Sequence, residues 1–142
     1  MEKEVKKRFC IAVASFGNSE KGGFLYVGVN DAGNIVGLEK DKDHGGFLDY
    51  EDVFANSMRE TLFNFFQDKI FIISKLEIKF FKRDEKIICI IQIKPSDNPV
   101  WVHGKKTEDP EFYVRGSSPR TERLNFKESI IFINKRFPNF VD

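Results

Sequence analysis

Apolar side chains recur with helical spacing in three segments of the chain. The predicted buried faces comprise Val5, Phe9, Val13 and Phe16 in the first segment, Tyr50, Phe54, Met58, Leu62, Phe65 and Phe66 in the second, and Phe126, Ile130, Ile133 and Phe137 in the third. Gly17 and Asn18 are predicted to end the first helix in a left-handed conformation. Asp49 is predicted to cap the second helix, and Asn125 with Glu128 has the spacing of a capping box at the third.

The segments between these helices show the patterns of strands, predicted at residues 23–29, 35–38, 75–82, 86–94, 100–102 and 111–115. Apolar and charged side chains alternate along residues 75–82, so one face of that strand is expected to meet solvent. Residues 87–93 are apolar on both faces, which predicts a central strand covered on both sides. The element order α-β-β-α-β-β-β-β-α indicates an α+β domain in which a mostly antiparallel sheet packs with about three helices.

Composition limits the classes of protein to which this chain can belong. With 142 residues, 41% apolar and 32% charged, and 16 Phe to fill a core, a single domain over residues 1–142 is expected. No apolar run approaches the roughly 20 residues that cross a bilayer, and no secretory signal is recognised, so we expect a cytoplasmic protein without a membrane partner. Cys10 and Cys89 lie within apolar segments far apart, which predicts two buried free thiols.

Charge is distributed unevenly although the net charge is only +1. The segment 115–127 carries Arg115, Arg120, Arg123 and Lys127 against the single carboxylate of Glu122. A strand delivers Arg115 to a tight glycine turn that contains two serines. Guanidinium groups, hydroxyls and backbone amides are the groups that hold phosphate oxygens, so this turn is a candidate phosphate-binding site.

The predicted binding set comprises Arg115, Ser117, Ser118, Arg120 and Arg123 in and around the turn, with Lys94, Lys105 and Lys106 as further cations. The alternative is a well-capped turn whose arginines form ion pairs with Asp109, Glu111 or Glu122. The sequence alone leaves both interpretations open.

Other motifs for catalysis or metal binding are incomplete. The glycine-rich residues 17–23 follow a helix instead of preceding one, so they do not form a phosphate loop, and Gly22-Gly23 is predicted to bring the backbone close to the sheet. Residues 41–52 lack the ligand pattern of a calcium loop. His44 and His103 belong to no nucleophile motif, and no Cys/His cluster has zinc spacing. No catalytic residue, metal or cofactor is therefore predicted.

Two separated stretches together carry a family resemblance. Residues 11–37 contain Ile-Ala-Val-Ala-Ser-Phe-Gly-Asn-Ser, then Gly22-Gly23, a strand ending in Gly-Val, a turn, and Ile-Val-Gly. Residues 112–120 read Phe-Tyr-Val-Arg-Gly-Ser-Ser-Pro-Arg. In this order the two stretches resemble the Schlafen-core or AlbA-type DNA-binding domain, which is common at the N-terminus of bacterial and archaeal regulators. The likeness covers nearly the whole chain, with Glu20-Lys21 resembling a small insertion and the arginine turn one residue shorter than its commonest form.

The resemblance implies a module that binds DNA or RNA and takes part in transcription regulation. It also implies an enzyme alternative, because some Schlafen cores are metal-dependent endoribonucleases that use three carboxylates, two of them from a strand upstream of the first helix. Glu2 and Glu4 lie too close to that helix to take this place, so the domain is expected to lack the family's first strand. Glu77, Asp84 and Asp97 are the candidates for the third carboxylate.

A protein-interaction domain is the third interpretation. If the first strand of the family is missing, the sheet exposes an unpaired edge, and such edges are commonly closed by a second chain. A homo-oligomer formed through an exposed sheet edge is therefore an expected partner arrangement, and it is compatible with nucleic-acid binding.

Overall fold

The computed structural model describes residues 3–28, 50–104, 109–116 and 120–140. Within these ranges the helices are α1 (Lys3–Asn18), α2 (Tyr50–Phe65), α3 (Lys69–Lys75) and α4 (Phe126–Arg136). The strands are β1 (Gly23–Val27), β2 (Leu76–Arg83), β3 (Lys86–Ile93), β4 (Trp101–Val102), β5 (Glu111–Arg115) and β6 (Thr121–Leu124). The predicted strand 35–38 and the predicted cap Asp49 lie outside the described residues.

The strands form two antiparallel sheets in the described part of the chain, with the orders β1-β3-β2 and β4-β5-β6. β3 is the central strand of the first sheet, as its two apolar faces predict. Along most of β2, half-buried and exposed residues alternate, also as predicted. The α+β class with antiparallel strands is therefore confirmed, and the structure adds the short helix α3 and the strand β6, which the sequence pattern did not indicate.

One hydrophobic core joins the helices to both sheets because α1 contacts strands of each sheet. The fully buried side chains of this core include Val13, Met58, Leu62, Ile91, Ile93, Val100 and Val102. Cys10 and Cys89 are buried free thiols, as predicted, and burial raises the pKa of each to about 12. Among the helices of the described ranges, none combines the length and the apolar character that a bilayer crossing requires.

The end of α1 differs from the prediction, because neither Gly17 nor Asn18 adopts a positive φ. At Gly17 the constraint is steric instead, because a Cβ atom there would lie 2.6 Å from Cζ of the Phe71 ring. The left-handed residue is Gly22, with φ +67°, where a Cβ atom would overlap the carbonyl oxygen of Ile93. The close approach of the backbone to the sheet that was predicted at Gly22-Gly23 is thus confirmed.

The buried face of α4 matches the prediction only in part, although its capping box at Asn125 and Glu128 is confirmed. Phe137 is buried and Ile133 is half-buried, as predicted. Phe126 is 81% exposed and Ile130 is 44% exposed, whereas the small Ser129 is buried. Near the end of the helix, Arg136 also holds α4 in place through polar contacts with backbone carbonyls, described below. A pattern of apolar positions does not reveal such polar contacts.

Candidate functional site

The C-terminal end of α1 is fixed to the second sheet by the side chain of Asn18, which is fully buried. Its Nδ2 atom donates hydrogen bonds to the carbonyl oxygens of Val100 and Tyr113, each at 2.9 Å. Its Oδ1 atom accepts a hydrogen bond from the backbone N–H of Val100 at 2.8 Å. The amide therefore uses both of its polar atoms to hold the end of α1 beside β5, two residues before Arg115.

Arg136 fixes α4 to the same end of α1. Its Nε atom donates to the carbonyl oxygen of Asn18 at 3.1 Å, and its Nη2 atom donates to the carbonyl oxygens of Ser19 and Ser96, each at 3.0 Å. Carbonyl groups at a helix C-terminus lack partners within the helix and attract cations. Arg136 satisfies these groups, so α1, β5 and α4 meet in a defined arrangement.

A cleft of about 570 Å³ opens where these three elements meet, and we call it the basic cleft. It is lined by Phe16, Ser19, Glu20, Lys21, Gly22, Arg115, Phe132, Lys135 and Arg136. The guanidinium carbon of Arg115 lies over the Phe16 ring, 4.6 Å from its centroid. This stacking orients the guanidinium group and leaves its edge able to donate hydrogen bonds.

The basic cleft differs in the charge of its lining residues from two other clefts in the described part of the chain. One, of about 460 Å³, is lined by Glu51 and Asp52 with Arg59 as its cation. Another, of about 540 Å³, contains Asp68 and His103, and burial lowers the pKa of that histidine. The basic cleft instead carries four cationic side chains and one carboxylate. It is therefore, of the three, the cleft suited to an anionic ligand.

The structure places the predicted arginines in two environments. Arg115 lines the basic cleft. Arg120 is exposed at the other end of the turn, where the N–H of Gly116 donates to its carbonyl oxygen at 2.7 Å. Because Arg115 is in register with Thr121, Arg120 belongs to the opposite face of the β5–β6 pair. Arg123 lies 2.9 Å from a carboxylate oxygen of Glu111, which is one of the ion pairs that the alternative interpretation anticipated. Of these three arginines, Arg115 is the one that lines the basic cleft.

Glu111 is shared between two cations, because Lys7 lies 3.2 Å from its other oxygen. Burial and the charge of Glu111 raise the pKa of the neighbouring Tyr113. This small ionic cluster ties the start of β5 to β6 and to α1. It accounts for the position of Arg123 without a ligand.

The remaining predicted residues are only partly described. Lys94 is exposed directly after β3, and its backbone N–H donates to the carbonyl oxygen of Lys75 at 2.8 Å. Ser117, Ser118, Lys105 and Lys106 lie outside the described residues.

Of the nine residues that line the basic cleft, Arg115 alone was predicted as a site residue. Lys21 and Lys135 come from segments far from the turn in sequence, and Phe132 lies on a face of α4 that its apolar pattern did not identify. The sequence did contain one indication of these residues, which is the pair Lys135-Arg136 in the last turn of a predicted helix. Cations at that position often contact helix carbonyls.

The carboxylates proposed for a nuclease occupy separate places. Glu77 lies 3.4 Å from Lys79 on β2, and Asp97 lies 3.5 Å from Lys75 beyond the end of β3. Asp84 is in the turn between β2 and β3 with a φ of 50°. Across residues 3–28, 50–104, 109–116 and 120–140, no group of three or more His, Cys, Asp or Glu side chains could hold a metal ion.

Comparisons with known proteins place the fold in a wider context. The chain is similar in structure to a crystal structure of the DIP2311 protein from Corynebacterium diphtheriae, with a TM-score of 0.64 and 15% sequence identity. That likeness covers 96% of this chain and 23% of the other, so this chain spans about a quarter of that protein's length. No curated protein matches the chain.

The sequence itself matches a family profile. The profile of the Schlafen AlbA_2 family matches residues 1–130, which is most of the chain and includes both stretches that carry the resemblance. Membership of this family associates the domain with nucleic acids. The chain belongs to the Schlafen AlbA_2 family.

Proposed function

We propose that this domain binds nucleic acid by holding backbone phosphates in the basic cleft and at the adjacent turn. The observation that carries the proposal is the concentration of cations around Arg115, whose guanidinium is already oriented by the Phe16 ring. A guanidinium held in one orientation loses little entropy when it forms a two-pronged contact with a phosphate. Family membership supports the same ligand class.

The cleft residues have distinct roles in this proposal. Arg115 makes the directional contact, whereas Lys21 and Lys135 are exposed and act as point charges at the rim. Arg136 is engaged by three carbonyl oxygens, so it shapes the cleft and adds positive potential without binding the ligand directly. Phosphate contacts of this kind position a strand but do not read its sequence.

The turn extends the phosphate site beyond the cleft. Arg120 is exposed at the far end of the turn, five residues after Arg115, so we include it as a cation for a neighbouring phosphate. Ser117 and Ser118 supply hydroxyls and amides in the same turn, and we include them on the basis of sequence. Arg123, Lys94, Lys105 and Lys106 are proposed as flanking cations that strengthen attraction without fixing geometry.

Two finer expectations belong to the same proposal. Buried free thiols accord with a reducing compartment, so we place the domain in the cytoplasm, where it would act in regulation. A second copy that pairs through an outer strand of the first sheet would be compatible with phosphate binding. Sedimentation at several protein concentrations tests that arrangement, and a monomer throughout would contradict it.

Binding of fluorescently labelled oligonucleotides, measured by anisotropy at low salt, tests the proposed function. Arg115→Ala should weaken binding about tenfold, the scale expected for losing hydrogen bonds to a charged group. Arg115→Lys should recover only part of this loss, because it restores the charge but not the guanidinium fork. Lys69→Ala removes an exposed cation that does not line the cleft and serves as the matched control.

Two results would contradict the proposal. One is the absence of binding to any oligonucleotide by the wild-type protein. The other is an equal effect of Arg115→Ala and Lys69→Ala in variants whose melting temperatures match the wild type, because the cleft would then have no special role.

A further inference from the structure

Three aromatic side chains are exposed on one face of the first sheet, which we call the aromatic face. Phe24 is 52% exposed, Tyr26 is 55% exposed and Phe81 is 49% exposed. Strand register places Phe24 in line with Gln92 and Glu77, Tyr26 in line with Ile90 and Lys79, and Phe81 in line with Ile88. Residues paired across antiparallel strands share a face, so the three rings point to the same side of the sheet.

The opposite face of the same strands already provides the core contacts. Leu25 and Val27 of β1 and Phe80 of β2 pack against the buried cluster. The exposed rings therefore are not needed to fill the interior. Large apolar side chains grouped on an exposed face commonly mark a surface that binds a ligand or partner.

Charge on the aromatic face favours a polyanionic ligand. The same register places Lys79, Arg83 and Lys86 on this face, and Glu77, which lies 3.4 Å from Lys79, is the carboxylate among its strand residues. Rings that alternate with cations suit a chain of bases and phosphates, because each base has a flat face for stacking. In a duplex these base faces are covered by neighbouring bases, so the arrangement suits unpaired bases.

The aromatic face is also continuous with the basic cleft. Gly22 lines the cleft and lies two residues before Phe24, so their Cα atoms are at most about 7 Å apart. A strand that places a phosphate beside Arg115 can therefore continue along β1 and meet Phe24 and then Tyr26.

From these observations we infer that the aromatic face stacks unpaired bases and that the ligand of the domain is single-stranded nucleic acid. This inference rests on the proposed function and adds the class of nucleic acid to it. Phe24 and Tyr26 are the principal stacking residues, and Phe81 contacts a base further across the sheet. The cleft supplies the phosphate contact and the rings supply discrimination against duplex.

Affinities for a single strand of about 12 nucleotides and for the matching duplex test this inference. The wild type should bind the single strand more tightly. The Phe24→Ala/Tyr26→Ala double variant should lose about tenfold or more in affinity for the single strand while its affinity for duplex changes little. Phe126→Ala removes an equally large ring that is 81% exposed on α4, and it should leave both affinities unchanged.

These experiments distinguish a wrong inference about the aromatic face from a wrong proposed function. If the wild type binds nucleic acid through Arg115 but the double variant binds single strands as tightly as the wild type, the aromatic face is not a binding site, and the phosphate site stands. If the wild type binds no nucleic acid, both are overturned. If the double substitution converts a dimer into a monomer, the face is an interface between copies and the inference is wrong.

A second measurement does not depend on the affinity of the double variant. In a Tyr26→Trp variant, stacking on a base should quench the emission of the new indole, and Trp101 provides the constant background measured in the wild type. Quenching should occur with the single strand and not with duplex. Unchanged emission in the presence of bound single strand would overturn the inference.

Discussion

Asn18→Ala tests how the end of α1 is held beside β5. The substitution removes the partner of the Val100 N–H and of the carbonyl oxygens of Val100 and Tyr113, all at a buried position. An unpartnered buried polar group costs about 1–3 kcal/mol. Allowing for water in the vacated space, we expect a loss of about 3–5 kcal/mol in the free energy of unfolding, at the upper end for a single substitution.

Urea denaturation followed by circular dichroism measures this loss, provided that the wild type and the variant show the same slope of unfolding free energy against urea concentration. Asn64→Ala is the matched control, because Asn64 is exposed on α2 and its substitution should change stability by no more than about 0.5 kcal/mol. A loss below about 1 kcal/mol for Asn18→Ala would refute the role assigned to its hydrogen bonds.

Asn18→Asp separates hydrogen bonding from packing because it keeps the shape of the side chain. Burial should raise the pKa of the new carboxyl in the folded state above its unfolded value, since the charged form is desolvated and cannot donate to Val100 or Tyr113. The stability of the variant should therefore be closest to that of the wild type at low pH. It should fall as the pH rises from the pKa of this carboxyl in the unfolded chain to its higher pKa in the folded protein. A deficit independent of pH would contradict this explanation.

Three further predictions concern stability. Gly22→Ala forces a side chain into a left-handed residue against the carbonyl of Ile93, and urea denaturation should show a loss of about 1–3 kcal/mol. Burial raises the pKa of Cys10 and Cys89 from 9.0 to about 12, so their thiols ionise first in the unfolded chain. Between about pH 8 and about pH 10, the free energy of unfolding of the wild type should therefore fall by about 1.4 kcal/mol per thiol more than that of the Cys10→Ala/Cys89→Ala variant. Equal falls in the two proteins would contradict this prediction. Asn125→Ala removes the cap of α4 and should cost about 1 kcal/mol, measured as a lowered melting temperature.

Local periodicity accounts for the parts of the fold that were predicted. The helices α1 and α2 and the central position of β3 follow from apolar spacing within each segment, because a single packed face imposes that spacing. The helix α3 was missed because Ile70 to Ile73 is a short apolar run, and such runs do not distinguish a helix from a strand.

Contacts between distant segments account for what was not predicted. Asn18 was interpreted as a local helix stop, but its partners lie 82 and 95 residues away. Arg136 of α4 likewise contacts carbonyls 118 and 117 residues earlier in the chain. Arg115 was identified because its turn has a local signature, whereas Lys21 and Lys135 join it only once the chain has folded.

The salt dependence of nucleic-acid binding tests the central claim most directly, because each phosphate contact releases counterions. The logarithm of the binding constant should fall linearly with the logarithm of salt concentration, and Arg115→Ala should make the slope less steep by about 0.7 for a single strand. Lys69→Ala, outside the cleft, should leave the slope unchanged. A wild-type slope near zero, or equal slopes for the wild type and Arg115→Ala, would contradict the assignment of the basic cleft as a phosphate site.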